Sequence, residues 1–298
     1  MSFLDISNLE VVFPTLWGQV RAVNGVDFRQ ESGENVGLVG ESGAGKTMLG
    51  RALMALLPYP GRVTGGKILW RDGDLLKKGE KELRKIRSRE IAMVFQDPIS
   101  ALNPLQKIGD QLVEAVLLHQ NLRRSEAMEL AVRRMGDVGI PRPEVSINNF
   151  PHQYSGGMLQ RIVIALALVN DPQLVIADEP TTALDVTIQA QILSLMKELQ
   201  AARKMSVLMI THNLGIVAQF CSRIYLHPYT QGLLRSIVRM DQKSRRLETM
   251  SGLMPDLIHM PTGCAFHPRC DKVREVCKKA SPAWRPVGDN HWVACHTQ

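Results

Sequence analysis

Val36-Gly37-Leu38-Val39-Gly40-Glu41-Ser42-Gly43-Ala44-Gly45-Lys46-Thr47 is the stretch that decides the fold. Val36–Val39 reads as a buried strand, and the pattern from Lys46 to Leu57 reads as a helix. Between them lies G-x-x-x-x-G-K-T, in the strand-to-helix setting that this spacing requires. Glycines let backbone N–H groups wrap a phosphate, and a helix start adds roughly half a positive charge. Gly40, Glu41, Ser42, Gly43, Ala44 and Gly45 are therefore candidate nucleotide-binding residues. Lys46 is expected to reach the β- and γ-phosphates, and Thr47 to ligate Mg²⁺. The bland alternative is a glycine-rich turn without a ligand; it leaves the Lys-Thr pair unexplained.

Working outward, further strand-like runs appear at Ile91–Phe95, Leu174–Ala177, Val207–Ile210 and Ser222–Leu226. Helical patterns at Gln160–Val169 and Ile188–Ala202 separate them. Such alternation predicts an α/β fold with a parallel sheet and crossover helices. The opening Leu9–Phe28 alternates around Pro14 and Gly18 and reads as an antiparallel β piece. Residues 97–153 lack strand runs and carry helical patterns at Ile108–Leu117 and Ser125–Met135, which predicts an inserted helical subdomain. The character changes again at His227, where basic clusters and prolines lead to a cysteine-rich end.

Leu174–Glu179 is an apolar strand ending in two carboxylates. Asp178 is expected to hold Mg²⁺ directly or through water, and Glu179 to polarise an attacking water as a general base. His212 ends the next strand and is placed to contact a γ-phosphate. Gln96 follows Ile91–Phe95 and can touch Mg²⁺ or the water in one state and withdraw in another. Taken singly, each is as readily a strand-end polar group. Ser155-Gly156-Gly157 precedes Gln160–Val169 and is a second helix start with free N–H groups, hence a second anion site. One nucleotide does not need both sites from one chain; two chains head-to-tail would each supply one.

A length of 298 residues sets a prior of about two domains, with enough chain for a proper core. The formal charge of +7 fits an anionic partner without choosing one. The amino terminus carries Asp5 and Glu10 and does not read as a secretory signal, and the apolar run Ile162–Val169 is too short for a bilayer. The chain is thus expected to be cytosolic, with any membrane role peripheral. Cys264, Cys270, Cys277 and Cys295 crowd the end in a C-x5-C-x6-C-x17-C arrangement. Four thiolates suit zinc or a [4Fe–4S] cluster, and the spacing alone does not choose. His267, His291 and His296 read as surface residues and Cys221 as a core thiol. The Lys77–Arg89 run and Arg123, Arg124, Arg133 and Arg134 read as solvated helix faces, and Met205 and Met209 as core.

These residues together resemble the ATP-binding subunits of ABC transporters. Gly40–Thr47 resembles Walker A, Gln96 the Q-loop, Tyr154–Met158 the signature, and Leu174–Glu179 Walker B. Ala183-Leu184-Asp185 resembles the D-loop and His212 the H-loop. Phe13 falls where the family stacks adenine, with Trp17 as the second candidate. The strings YSGGMLQR, ADEPTTALDV, HPYTQGLL and GCAFHPRC are similar to the dipeptide/oligopeptide (and nickel) importer branch. The resemblance implies a P-loop ABC core over 1–226, with the helical subdomain over about 97–160, and a C-terminal extension over 227–298. It implies ATP, Mg²⁺ and, at the four cysteines, a [4Fe–4S] cluster in preference to zinc. It also implies a second ATPase subunit, identical or homologous, with Asp185 linking the two sites. Two membrane permeases, an extracytoplasmic binding protein and a place on the cytoplasmic face of the bacterial inner membrane follow in the same way.

Three departures stand out. Met158 replaces a common Gln, Asn213 replaces a more usual Asp, and Ser222–Leu226 runs straight into His227 where the family has a hairpin and a loop. Two rival readings stay open: a soluble ABC ATPase acting on nucleic acid through a zinc-type tail, and a regulator that does not hydrolyse ATP. Intact Glu179 and His212 speak against the second.

Overall fold

In the computed structural model, five strands run parallel in the order β6-β7-β8-β3-β9: Ile91–Val94, Leu174–Asp178, Ser206–Thr211, Asn35–Val39 and Arg223–Leu226. The structure describes residues 3–71, 73–182, 184–226, 252, 255–288 and 291–297. All five expected strands are present. Their residues alternate between two apolar clusters: Val175, Ala177, Val207 and Met209 face one way, and Leu174, Ile176, Leu208 and Ile210 the other. A parallel sheet buried on both faces requires such near-continuous apolar runs.

One face is covered by α1 (Lys46–Leu53) and by an antiparallel sheet of order β2-β1-β4-β5. Its strands are β1 (Leu4–Thr15), β2 (Gly18–Gln30), β4 (Arg62–Trp70) and β5 (Gly73–Asp74). The β1–β2 hairpin is the expected opening piece. α1 stops short of the Leu57 that periodicity suggested, because Ala55 turns left-handed at φ 49° just beyond it. α2 (Glu80–Ile86) is solvated as expected but anchors Leu83 and Ile86.

The other face carries α3 (Ile108–Leu117), α4 (Arg124–Asp137), α6 (Gly156–Leu168), α7 (Val186–Arg203) and α8 (Leu214–Phe220), with the short α5 (Pro143–Ser146) between α4 and α6. α3, α4 and α6 share one apolar cluster with the sheet, so the helical segment has no core of its own. At the far end of α6, Asn170 is 8% exposed and fully engaged. It donates to Ser88 Oγ at 3.0 Å and the Ala115 carbonyl at 2.9 Å, and accepts from Gln120 at 2.9 Å.

Arg134 departs from expectation. Its side chain is 16% exposed and pairs with Asp137 and Asp171, which also bind Arg203. Asp171 comes from the turn after α6, a contact that a helical wheel cannot show. Arg123, Arg124 and Arg133 are exposed, and Met205 and Met209 lie in the core. The described residues from 255 onward include α9 (Glu275–Lys279) and a hairpin of β10 (Trp284–Gly288) and β11 (His291–Ala294). His227–Leu234 and the basic cluster Lys243–Arg246 lie outside the described residues. Among those described, no helix is long and apolar enough to cross a membrane.

Candidate nucleotide site

Register puts the site at one edge. Val39 pairs with Thr211 and Asp178 with Ile210, so β3, β7 and β8 end together. Gly40, Asp178-Glu179 and His212 emerge side by side at the carboxyl ends of parallel strands, where open α/β sheets bind ligands.

The loop after β3 is shaped by glycine. Gly43 and Gly45 sit at φ 85° and 82°, and a Cβ on Gly45 would lie 1.9 Å from the Ala22 carbonyl oxygen. Only glycine fits there. Lys46 is buried, and its ammonium donates to the carbonyls of Gly40 (2.8 Å) and Glu41 (2.9 Å). Burial lowers the Lys46 pKa, against the opposing charges of Glu179, Asp178 and Glu41. An incoming phosphate offers this ammonium a charged acceptor in place of two neutral ones, which is the stronger bond.

The two expected Mg²⁺ ligands meet: Thr47 Oγ1 donates to Asp178 Oδ1 at 3.0 Å. Asp178 is 2% exposed, and burial pushes its carboxyl pKa up, with repulsion from Glu179 adding to the effect. A desolvated carboxylate beside a hydroxyl is a hard oxygen set suited to Mg²⁺. Bound cation would relieve the crowding of negative charge, so these residues fit the ion.

Glu179 is the hub. Its backbone is left-handed at φ 46°, strain of the kind that collects at functional sites. Oε2 accepts from Thr182 Oγ1 (2.8 Å) and Gln96 Nε2 (3.3 Å), and Oε1 lies 3.1 Å from His212 Nδ1. Burial alone would raise its pKa; the bonds from Thr182 and His212 and the charges of His212 and Lys46 outweigh that and hold it below the ordinary value. Glu179 is thus kept as an anion. Sequence reasoning placed Glu179, Gln96 and His212 together but missed Thr182. The available signal was a hydroxyl residue three positions on, in a turn closed by the Thr182 N–H to Glu179 carbonyl bond.

The other candidates lie elsewhere. Ser155 and Gly156 are exposed at the start of α6, where Ser155 accepts from Met158 N at 3.4 Å. Gly157 packs on Ile188 of α7 closely enough that a Cβ would sit 3.0 Å from its Cγ2. Asp185 caps α7, accepting from Ile188 N at 2.9 Å; Ala183 lies outside the described residues. The Phe13 ring is half-buried against Gly61, whereas Trp17 is 80% exposed in the β1–β2 turn.

The structure does not bring the cysteines into a metal centre. Cys264 N–H donates to the Cys277 carbonyl at 2.8 Å. Burial raises the Cys264 thiol pKa, and the charges of Cys277, Cys295 and Cys270 push the same way, so the four share a neighbourhood. Yet among the described residues no three His, Cys, Asp or Glu side chains converge to hold a metal. The thiols as placed do not fit a cluster or a zinc ion. His267 Nδ1 and His296 Nε2 lie 3.0 and 2.9 Å from the Cys264 and Ala280 carbonyls. Cys221 packs against the core, and burial pushes its thiol up to about 12.

Residues 23–182 match the ABC transporter family, and residues 216–277 match the oligopeptide/dipeptide transporter C-terminal region. The chain belongs to the ABC transporter family. This ABC ATPase is 45% identical to the dipeptide transport ATP-binding protein DppD of Bacillus subtilis (strain 168), over 99% of this chain and 94% of that protein. That alignment spans 316 positions, more than the 298 residues here, so the relative carries residues with no counterpart in this ABC ATPase. It is 41% identical to the oligopeptide transport ATP-binding protein OppD of Salmonella typhimurium, over 94% of this chain and 89% of that one. Among solved structures, the dimeric post-hydrolysis state of the ATP-binding cassette MJ0796, bound to ADP and Pi, superposes with a TM-score of 0.67 at 27% identity. The match covers 75% of this chain and 93% of that one.

Proposed function

We propose that this chain is the ATP-hydrolysing subunit of an importer for dipeptides or oligopeptides, working at the cytoplasmic face of a bacterial inner membrane. The relatives named for such transport match nearly the whole chain, and the tail carries the oligopeptide/dipeptide region. That tail gives the nucleic-acid alternative no support. The single observation that carries the chemistry is Glu179, anchored by three side chains at the strand edge that also bears Lys46, Thr47 and Asp178.

Lys46 and the loop amides would bind the phosphates, while Thr47 and Asp178 would hold Mg²⁺, which supplies charge neutralisation. Glu179 would accept a hydrogen bond from the attacking water and draw off its proton. Gln96 and His212 would fix the orientation of that carboxylate, and His212, half exposed, is free to reach a γ-phosphate. Phosphoryl transfer asks for little else than positioning and electrostatics. Either Phe13 or Trp17 would stack the adenine; Trp17 has the free face.

The exposed start of α6 supports a second ATPase subunit, whose nucleotide Ser155, Gly156 and Gly157 would cap; Asp185 would sit at that seam. The solved MJ0796 cassette described above is itself a dimer, which supports a second subunit. The helical segment over about 97–160 would carry the contact with two permeases, fed by an extracytoplasmic binding protein. A [4Fe–4S] cluster or zinc on Cys264, Cys270, Cys277 and Cys295 rests on the sequence alone. An absorbance spectrum with metal analysis of anaerobically purified protein tests it.

The decisive experiment is Glu179→Gln. Turnover should fall by about a hundredfold or more, the scale of general-base assistance, with ATP still bound and a stable dimer on gel filtration. Turnover at the wild-type rate removes Glu179 from the chemistry.

A further inference from the structure

The C-terminal extension reaches back to the phosphate loop. Arg21 N–H donates to the Leu257 carbonyl at 2.9 Å, and Ile258 lies so close to Gly18 that a Cβ there would meet its Cγ2 at 2.8 Å. Further along, Arg269 forks onto the Glu41 carboxylate, Nη1 to Oε1 at 3.2 Å and Nη2 to Oε2 at 2.6 Å. The guanidinium also lies 5.4 Å from the Phe266 ring centroid. Its side chain is only 4% exposed, and its Nε is buried with no hydrogen-bond partner among the described residues. A desolvated guanidinium is costly unless a carboxylate meets it bidentately, so Glu41 is what makes this burial tolerable.

Glu41 is the second residue of the loop, and the Glu41 carbonyl is one of the two that hold Lys46. Its carboxylate is near enough to act on the Lys46 charge, yet the partner it binds is Arg269. A polyphosphate entering the loop would meet a bare Glu41 as a like charge. We propose that Arg269 is a positioning residue of the nucleotide site: by neutralising and holding the Glu41 carboxylate, the C-terminal extension completes the charge balance of the phosphate loop in cis. The proposal rests on reading Gly40–Thr47 as a triphosphate loop.

The test is titration of the full-length chain with a fluorescent ATP analogue and Mg²⁺ at low and high salt. Arg269→Gln should weaken binding about tenfold at low salt, the scale of one uncompensated charge beside a polyanion, and the loss should shrink as salt rises. Adding Glu41→Gln to that variant should recover most of the affinity, because the repelling charge is gone. Unchanged affinity in Arg269→Gln overturns the proposal, as does a loss that Glu41→Gln leaves in place, since the extension would then act by packing alone. Should circular dichroism show Arg269→Gln unfolded, Arg269→Lys serves instead. It should lose about threefold and be relieved by Glu41→Gln, and a loss without relief again overturns the proposal. Lys46→Ala separates the two levels: if it still binds the analogue, the loop reading itself fails, whatever Arg269 does.

Discussion

Two helix starts are the candidate anion sites of this chain, and they are built in opposite ways. The start of α1 is wrapped: the loop closes over it, Gly45 is pressed against Ala22, and Lys46 is buried beneath. The start of α6 is bare: Ser155 and Gly156 are exposed, and a Cβ on Gly156 would meet nothing within 4 Å. Both have the unpaired N–H groups of any helix start. A wrapped start suits a ligand held by its own chain, whereas a bare one leaves its donors to water or to something that another body brings. On the function proposed above, the contrast means that one copy would hold most of one phosphate site and would offer a fragment of another.

The same substitution at each start tests the contrast. Gly45→Ala should be the more severe. It forces an L side chain into a left-handed backbone and a carbonyl oxygen, costing on the order of 2 kcal/mol or more, and it should abolish ATP binding. Thermal melting and analogue titration would show both effects, and a variant that melts and binds normally breaks the contrast. Gly156→Ala should leave the melting temperature unchanged or slightly raised, since alanine favours a helix by up to about 1 kcal/mol over glycine. In a Glu179→Gln background it should nonetheless prevent the ATP-dependent dimer on gel filtration. A dimer of undiminished stability would return α6 to a purely structural part.

A smaller effect sharpens the wrapped side. Thr182→Val removes one of the bonds that hold the Glu179 pKa below its ordinary value, against the burial that raises it. The carboxyl should then titrate higher. A depressed carboxylate is lost as pH falls through its folded pKa, so the acid limb of the turnover–pH profile should move to higher pH, with turnover on the alkaline plateau little changed. An acid limb that stays in place means that Thr182 does not tune Glu179.

The site was legible where chemistry is local in the chain. Gly43, Gly45, Lys46 and Thr47 are dictated by one loop and the helix it opens, and Asp178, Glu179 and His212 by where apolar runs stop. The sheet was legible because its strands are buried on both faces and announce themselves as unbroken apolar runs. What stayed hidden depends on distant segments meeting. Arg269 and Glu41 stand far apart in sequence and touch only after folding. Arg134 reads as solvated on its own helix but meets Asp171 from another element. The cysteines show the converse: spacing displays four metal-type donors, yet among the described residues no three such donors come together as a metal-holding group.

Asn170 gives α6 a further property. The helix is a rod with a free grip at Ser155 and a pinned heel at Asn170, where three hydrogen bonds fasten it to the approach to β6, to α3 and to Gln120 beyond it. Its middle, Ile162 to Ala165, is sunk in a close-packed interior that barely compresses. A displacement at the grip would therefore find little give along the shaft, and the contacts waiting at the heel are α3 and Ser88, just ahead of the strand that leads to Gln96.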